Sequence, residues 1–165
     1  MVLGGWGVNR DSMLARWFSV EVSPIEAPFL FREEKSQWAS TSAELLTSLA
    51  ALFAFGWLQK DSNRKTLTWA LFGGTDNLAN QFLSLKRSTT RWPLMIINMQ
   101  LSHCLSQASL SLSLRWRPRE ENTFADGLTN GDFSQFDPAL RVQFSFADIP
   151  QDIIWLLWKS KGDFD

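Results

Sequence analysis

The chain has 165 residues, of which 45% are hydrophobic and 20% charged, with a formal net charge of −1. That length is enough for one domain with a real core, and the composition excludes wholesale disorder. The near-zero charge excludes a globally basic nucleic-acid binder, so any such surface has to be a local patch.

A single cysteine, Cys104, excludes an internal disulfide framework and a multi-cysteine zinc site, and it suits a reducing, intracellular setting. The longest apolar stretch, Leu45 to Leu58, is interrupted by Thr47 and Ser48 and is too short to cross a bilayer. No membrane association is expected. The N-terminus also lacks the charged start, apolar run and small-residue cleavage site of a signal peptide.

Leu3-Gly4-Gly5-Trp6-Gly7-Val8 reads as a short strand and Asn9 to Ser12 as a turn. Arg16 to Val22 alternates, with Trp17, Ser19 and Glu21 opposite Phe18, Val20 and Val22, which predicts an antiparallel hairpin. Pro24 and Pro28 stop regular pairing, so residues 24–39 read as a connecting loop. From Ser42 to about Phe55 the spacing is helical: Leu45, Leu49 and Leu52 share a face that Leu46 and Phe53 widen. Thr66 to Leu71 alternates again and Gly73-Gly74 ends it. A helix follows from Asn77 to about Leu85, and Pro93 opens a longer one reaching Gln107. Leu110 to Trp116 is the fourth strand, and Asn122 caps a short helix through Leu128. The order β-β-α-β-α-α-β-α predicts an α/β domain, a mixed sheet covered by helices, over residues 1–141. Residues 142–165 are an unassigned tail whose apolar run, Ile153 to Trp158, either docks on the core or is the stub of something longer.

Three acidic residues sit where chemistry would use them. Glu44 falls in the expected first turn of the first long helix, Asp76 lies past the carboxyl end of the third strand, and Asp126 is in the short helix after the fourth. Ligands of open α/β sheets bind outside the carboxyl ends of the strands. Carboxylates converging there would make a hard, oxygen-rich site suited to Mg²⁺. Each also has a structural explanation. Thr41-x-x-Glu44 is a capping box, Asp76 a turn residue or helix cap, and Asp126 a solvated acid favoured by the helix dipole. Spacing alone does not decide between them.

The segment Trp116-Arg117-Pro118-Arg119-Glu120-Glu121-Asn122-Thr123-Phe124-Ala125-Asp126-Gly127-Leu128-Thr129-Asn130 resembles the end of the RNase H-like domains of reverse-transcriptase-bearing retroelements. Thr75-Asp76-Asn77 is similar to the Thr-Asp-Asn that closes the family's fourth strand, and Ala43-Glu44-Leu45-Leu46 to the start of its first helix. Leu3 to Gly7 and Arg16 to Val22 resemble its second and third strands, so the likeness runs in order from about residue 3 to residue 130. It implies an RNase H-like fold and hydrolysis of the RNA strand of an RNA/DNA hybrid during reverse transcription. Glu44, Asp76 and Asp126 would be catalytic and would ligate Mg²⁺, with Mn²⁺ as the substitute ion. Asn77, Lys86, Arg87, Arg91, Arg117, Arg119 and Asn122 would contact the nucleic acid, with Arg115 nearby. A reverse-transcriptase domain would be the expected partner.

The family carries a further Asp on a first, central strand, shortly before its Gly-Gly-x-Gly segment. Here only Met1 and Val2 precede Leu3, and Asp11 lies on the wrong side of the strand to replace it. The first, central strand is therefore expected to be missing, leaving its two neighbours as sheet edges. Two alternatives to cleavage of the RNA strand of a hybrid stay open: a non-catalytic nucleic-acid-binding or structural remnant of a retroelement polyprotein, and a DNA exonuclease of the same fold. His103, inside the expected helix from Pro93, reads as a helix-surface or partly packed histidine, and Cys104 has no base near it in sequence. Gly73-Gly74 is not a phosphate loop, because no Lys-Ser/Thr follows.

Overall fold

A computed structural model of the chain describes residues 1–12, 14–31, 36–59 and 67–162. The expected start of the third strand at Thr66 and part of the loop 24–39 lie outside them. The hairpin forms as the alternation predicts: β1 (Val2–Val8) pairs antiparallel with β2 (Ala15–Glu21), Gly4 opposite Ser19. Leu3, Phe18 and Val20 all point inward and are buried. The loop that follows holds a short helix, α1 (Pro28–Phe31), which buries Phe29 and Leu30. The expected loop is corrected to that extent, because Pro28 sits at the first helical position, where its fixed φ favours a helix.

The long helix α2 spans Ser36–Ala54 and covers the inner face of the hairpin with Leu45, Leu46, Leu49 and Leu52. It begins six residues earlier than the expected Ser42, so Thr41 and Glu44 lie within it and form no capping box. Gly7 lets the Phe55 ring approach: a Cβ there would stand 3.1 Å from it.

On the opposite face of β1 lies α5 (Thr123–Asn130), with a close approach at Gly4, whose Cβ would stand 2.8 Å from Leu128 Cβ. Ser19 Oγ donates to the Leu128 carbonyl at 2.8 Å, tying α5 to β2 as well. Gly4→Ala therefore forces helix and hairpin apart. A loss of about 1–3 kcal/mol is expected in urea unfolding, the usual cost of overpacking.

The second half of the molecule is a parallel pair, β3 (Trp69–Thr75) and β4 (Leu110–Trp116), connected through α3 (Leu78–Lys86) and α4 (Leu94–Gln107). Alternation placed β4 and both helices to within about a residue. β3 is shifted from the expected 66–71, because Gly73-Gly74 continues the strand rather than ending it. Gly73 faces Leu114 across the ladder, where a Cβ would lie 2.9 Å from Leu114 Cδ2.

One mixed sheet was expected; two separate two-stranded sheets are found, β1–β2 and β3–β4. The fold is mixed α/β, and among the described residues β1 and β3 each pair on one side only. On the outer face of the parallel pair Phe72 is 70% exposed under the Arg115 guanidinium.

Asn122 precedes α5 but makes no side-chain capping bond, and a 3₁₀ turn at Arg119–Glu121 leads into it instead. The tail docks. Phe146, Ile149 and Ile154 belong to the same hydrophobic cluster as Leu3 and Phe18, and α6 (Asp152–Gly162) packs on α4. No described helix is long and apolar enough to cross a membrane.

Candidate active site

Two of the three expected acids meet. α2 brings Glu44 to the carboxyl end of β3, where Thr75 is buried in the ladder and Asp76 follows it. Thr75 Oγ1 donates to Glu44 Oε2 at 3.3 Å and accepts from the Asn77 N–H at 3.1 Å. Asn77 is the N-cap of α3: its Oδ1 accepts from the Ala79 N–H at 3.0 Å. Its Nδ2 donates to Thr41 Oγ1 at 2.9 Å, which laces α3 to α2. Asn80 Nδ2 adds a bond to the Thr41 carbonyl at 3.2 Å. Trp116 Nε1 donates to the Asp76 carbonyl at 3.1 Å, holding the end of β3 to the end of β4.

Burial pushes the Glu44 carboxyl up to about 7, and the charge of Asp76 together with a hydrogen bond between the two carboxyls adds to the rise. Hydrogen bonds from Thr75 and Asn77 pull the other way and do not prevail. Near neutral pH Glu44 therefore still holds its proton in a substantial fraction of molecules, where an ordinary carboxylic acid would have lost it. A divalent cation would replace that proton, so this pair fits the hard oxygen donors of a Mg²⁺ ligand set.

Asp126 does not join them. It lies in the first turn of α5, where its side chain forms an ion pair with Arg119 Nε at 3.6 Å. Among the described residues no three His, Cys, Asp or Glu side chains come together as a metal-holding group. The physical reason lies in the two half-sheets. Glu44 and Asp76 are organised around β3–β4, whereas α5 is fastened to β1–β2 through Leu128, and among the described residues no strand joins the two.

The basic candidates divide in the same way. Arg117 and Arg119 are exposed near the ends of β3 and β4, and Arg117 covers Gly74, where a Cβ would lie 3.2 Å from its Nε. Lys86, Arg87 and Arg91 are exposed at the other end of α3. A nine-residue helix places them about 13 Å along its axis from Asp76. Asn77 is occupied in capping, and Asn122 accepts the Asp126 N–H through its carbonyl. His103 is partly buried on α4, and Cys104 is buried, which pushes its thiol up and away from nucleophilic use.

Thr41 and Thr75 were not singled out by sequence reasoning. Thr75 carried a signal, since it opens the Thr-Asp-Asn motif, but Thr41 was assigned to a helix cap. Comparison with known protein families, with characterised proteins and with solved structures returned no match.

Proposed function

We propose that this chain is an RNase H-like domain acting in reverse transcription, with an RNA/DNA hybrid as its substrate. In this reading it cleaves the RNA strand with Mg²⁺, works beside a reverse-transcriptase domain, and uses Glu44, Asp76 and Asp126 as its acidic residues. The observation that supports it best is the Glu44–Asp76 contact at the carboxyl end of β3, where Glu44 is raised to about 7. Bound there, Mg²⁺ (or Mn²⁺) would stabilise the charge that develops on a phosphodiester during hydrolysis. The chain's own contribution is to orient the pair through Thr75 and Asn77 and to offer Arg117 and Arg119 to the phosphates.

A second reading, a nucleic-acid-binding remnant without catalysis, is favoured by the position of Asp126. Its carboxylate is engaged by Arg119, away from the other two acids.

The test is a cleavage and binding assay on a labelled RNA/DNA hybrid with Mg²⁺ and with Mn²⁺. Hybrid-specific cleavage abolished in Asp76→Asn supports the enzyme. Binding without cleavage, weakening as salt rises, supports the remnant. A preference for duplex DNA moves the assignment to an exonuclease, and absence of any nucleic-acid binding sinks both leading readings.

A further inference from the structure

The outward face of the parallel pair carries chemistry that the acidic pair does not use. Alternation buries Leu110 and Leu114 of β4 and sets Ala70, Phe72 and Gly74 of β3 on the other face, in register with Ser111, Ser113 and Arg115. Phe72 stands among these mostly small residues with 70% of its surface exposed. A single exposed ring is ordinary; its surroundings are not.

The Arg115 guanidinium lies 5.7 Å from the centre of the Phe72 ring. Arg117, two residues on and on the same face, folds back over Gly74, where a Cβ would stand 3.2 Å from its Nε. Neither guanidinium has a carboxylate partner among the described residues. The basic charge is also concentrated here. Residues 77–119 hold Lys86, Arg87, Arg91, Arg115, Arg117 and Arg119 and no Asp or Glu, although the whole chain is at −1.

Two unpaired cations beside an approachable flat ring match a partner that alternates negative charge with flat aromatic groups. An acidic peptide supplies the charge without the rings. A duplex supplies both but keeps its bases stacked on one another, whereas a single strand offers them to a protein ring. We propose that the outward face of β3–β4 binds single-stranded nucleic acid, one base stacked on Phe72 and the neighbouring phosphates on Arg115 and Arg117. The ring is exposed with the Arg115 guanidinium in place, so a base has access to it. Binding of this kind requires neither the acidic pair nor a metal.

The probes are fluorescein-labelled oligo(dT) and oligo(U) of about twelve nucleotides, titrated with the full chain in EDTA at several salt concentrations and followed by anisotropy. Both strands are expected to bind saturably and to weaken as salt rises. Phe72→Ala should weaken them about tenfold, Phe72→Leu nearly as much, and Phe72→Trp not at all, because stacking needs a flat face and not merely apolar area. Arg115→Gln should reduce the salt slope by about one. Leu156→Ala, 65% exposed but on α6, should change nothing. Binding to neither strand, native-like binding by Phe72→Ala or Phe72→Leu, or displacement by poly-glutamate as readily as by unlabelled oligonucleotide would overturn the proposal. So would an RNA/DNA hybrid that loses as much affinity as the single strands in Phe72→Ala. With no metal present, failure here leaves the cleavage test untouched, and a chain that cuts no hybrid can still pass.

Discussion

Gln100→Ala is expected to lower the free energy of unfolding by about 2–4 kcal/mol, as measured by urea denaturation, since it breaks a buried polar network. Gln100 is fully buried in α4 yet satisfies four partners. Its Oε1 accepts from the N–H groups of Ile153 at 2.8 Å and Ile154 at 3.2 Å; its Nε2 donates to Asp152 Oδ1 at 2.8 Å and to Cys104 Sγ at 3.5 Å. The first amides of α6 have no carbonyl inside their own helix, so the glutamine does the work of a cap from a neighbouring element. Truncation leaves those amides and the Asp152 carboxylate without that partner and opens a void beside Cys104. Hydrogen exchange should therefore accelerate at Ile153 and Ile154 more than in β1 or β2. The control is Met99→Ala, one residue away but 45% exposed, which should cost within about 0.5 kcal/mol. Equal losses in the two variants would show that α6 is held by apolar packing alone.

Gln100 also illustrates what a sequence read by periodicity can and cannot disclose. The alternation of Leu110 to Trp116 and the spacing of α4 were legible because burial on one face imposes a period. The glutamine was not, because three of its four partners stand more than fifty residues on, in a tail that gave no pattern of its own. Only the apolar run Ile153 to Trp158 hinted that the tail could dock. The start of α2 was obscured by Thr41-x-x-Glu44, a pattern that satisfies the rules of a helix beginning but stands inside a helix opened at Ser36. Gly73-Gly74 misled for the opposite reason: glycine usually marks a strand's end, but here it makes room for Leu114 across the ladder. Of the site, the Glu44–Asp76 meeting could be anticipated from the helix-to-strand-end geometry of α/β folds, whereas the separation of Asp126 depends on two sheets that no strand connects among the described residues. The resemblance predicted three acids around one centre; the chain as folded gathers two.

The burial of Glu44 beside Asp76 makes stability depend on pH. Glu44 has an ordinary value of 4.5 and is raised to about 7 in the folded state, so the native protein holds its proton more tightly than the unfolded chain does. Stability from this group is therefore full below about pH 4.5 and is lost as pH rises through about 7, where burial and the Asp76 charge oppose ionisation. Glu44→Gln removes the titration while keeping the shape. The variant should match the native chain near pH 4.5, separate from it across the interval up to about 7, and be the more stable of the two at pH 8. Full linkage for such a shift would be about 3 kcal/mol, and because the side chain is partly exposed the expected difference is about 1–2 kcal/mol. Asp76→Asn should fall between them, since it relieves the charge on Glu44 but not its burial. Mg²⁺ supplies an independent arm. A cation that displaces the Glu44 proton should stabilise the native chain more at pH 8 than at pH 5, with little effect on Glu44→Gln at either. A denaturation series in which native and Glu44→Gln curves run parallel from pH 4 to pH 8 would contradict the burial of Glu44 beside Asp76. Curves that diverge without any response to Mg²⁺ would keep the pairing and remove its claim to be a metal site.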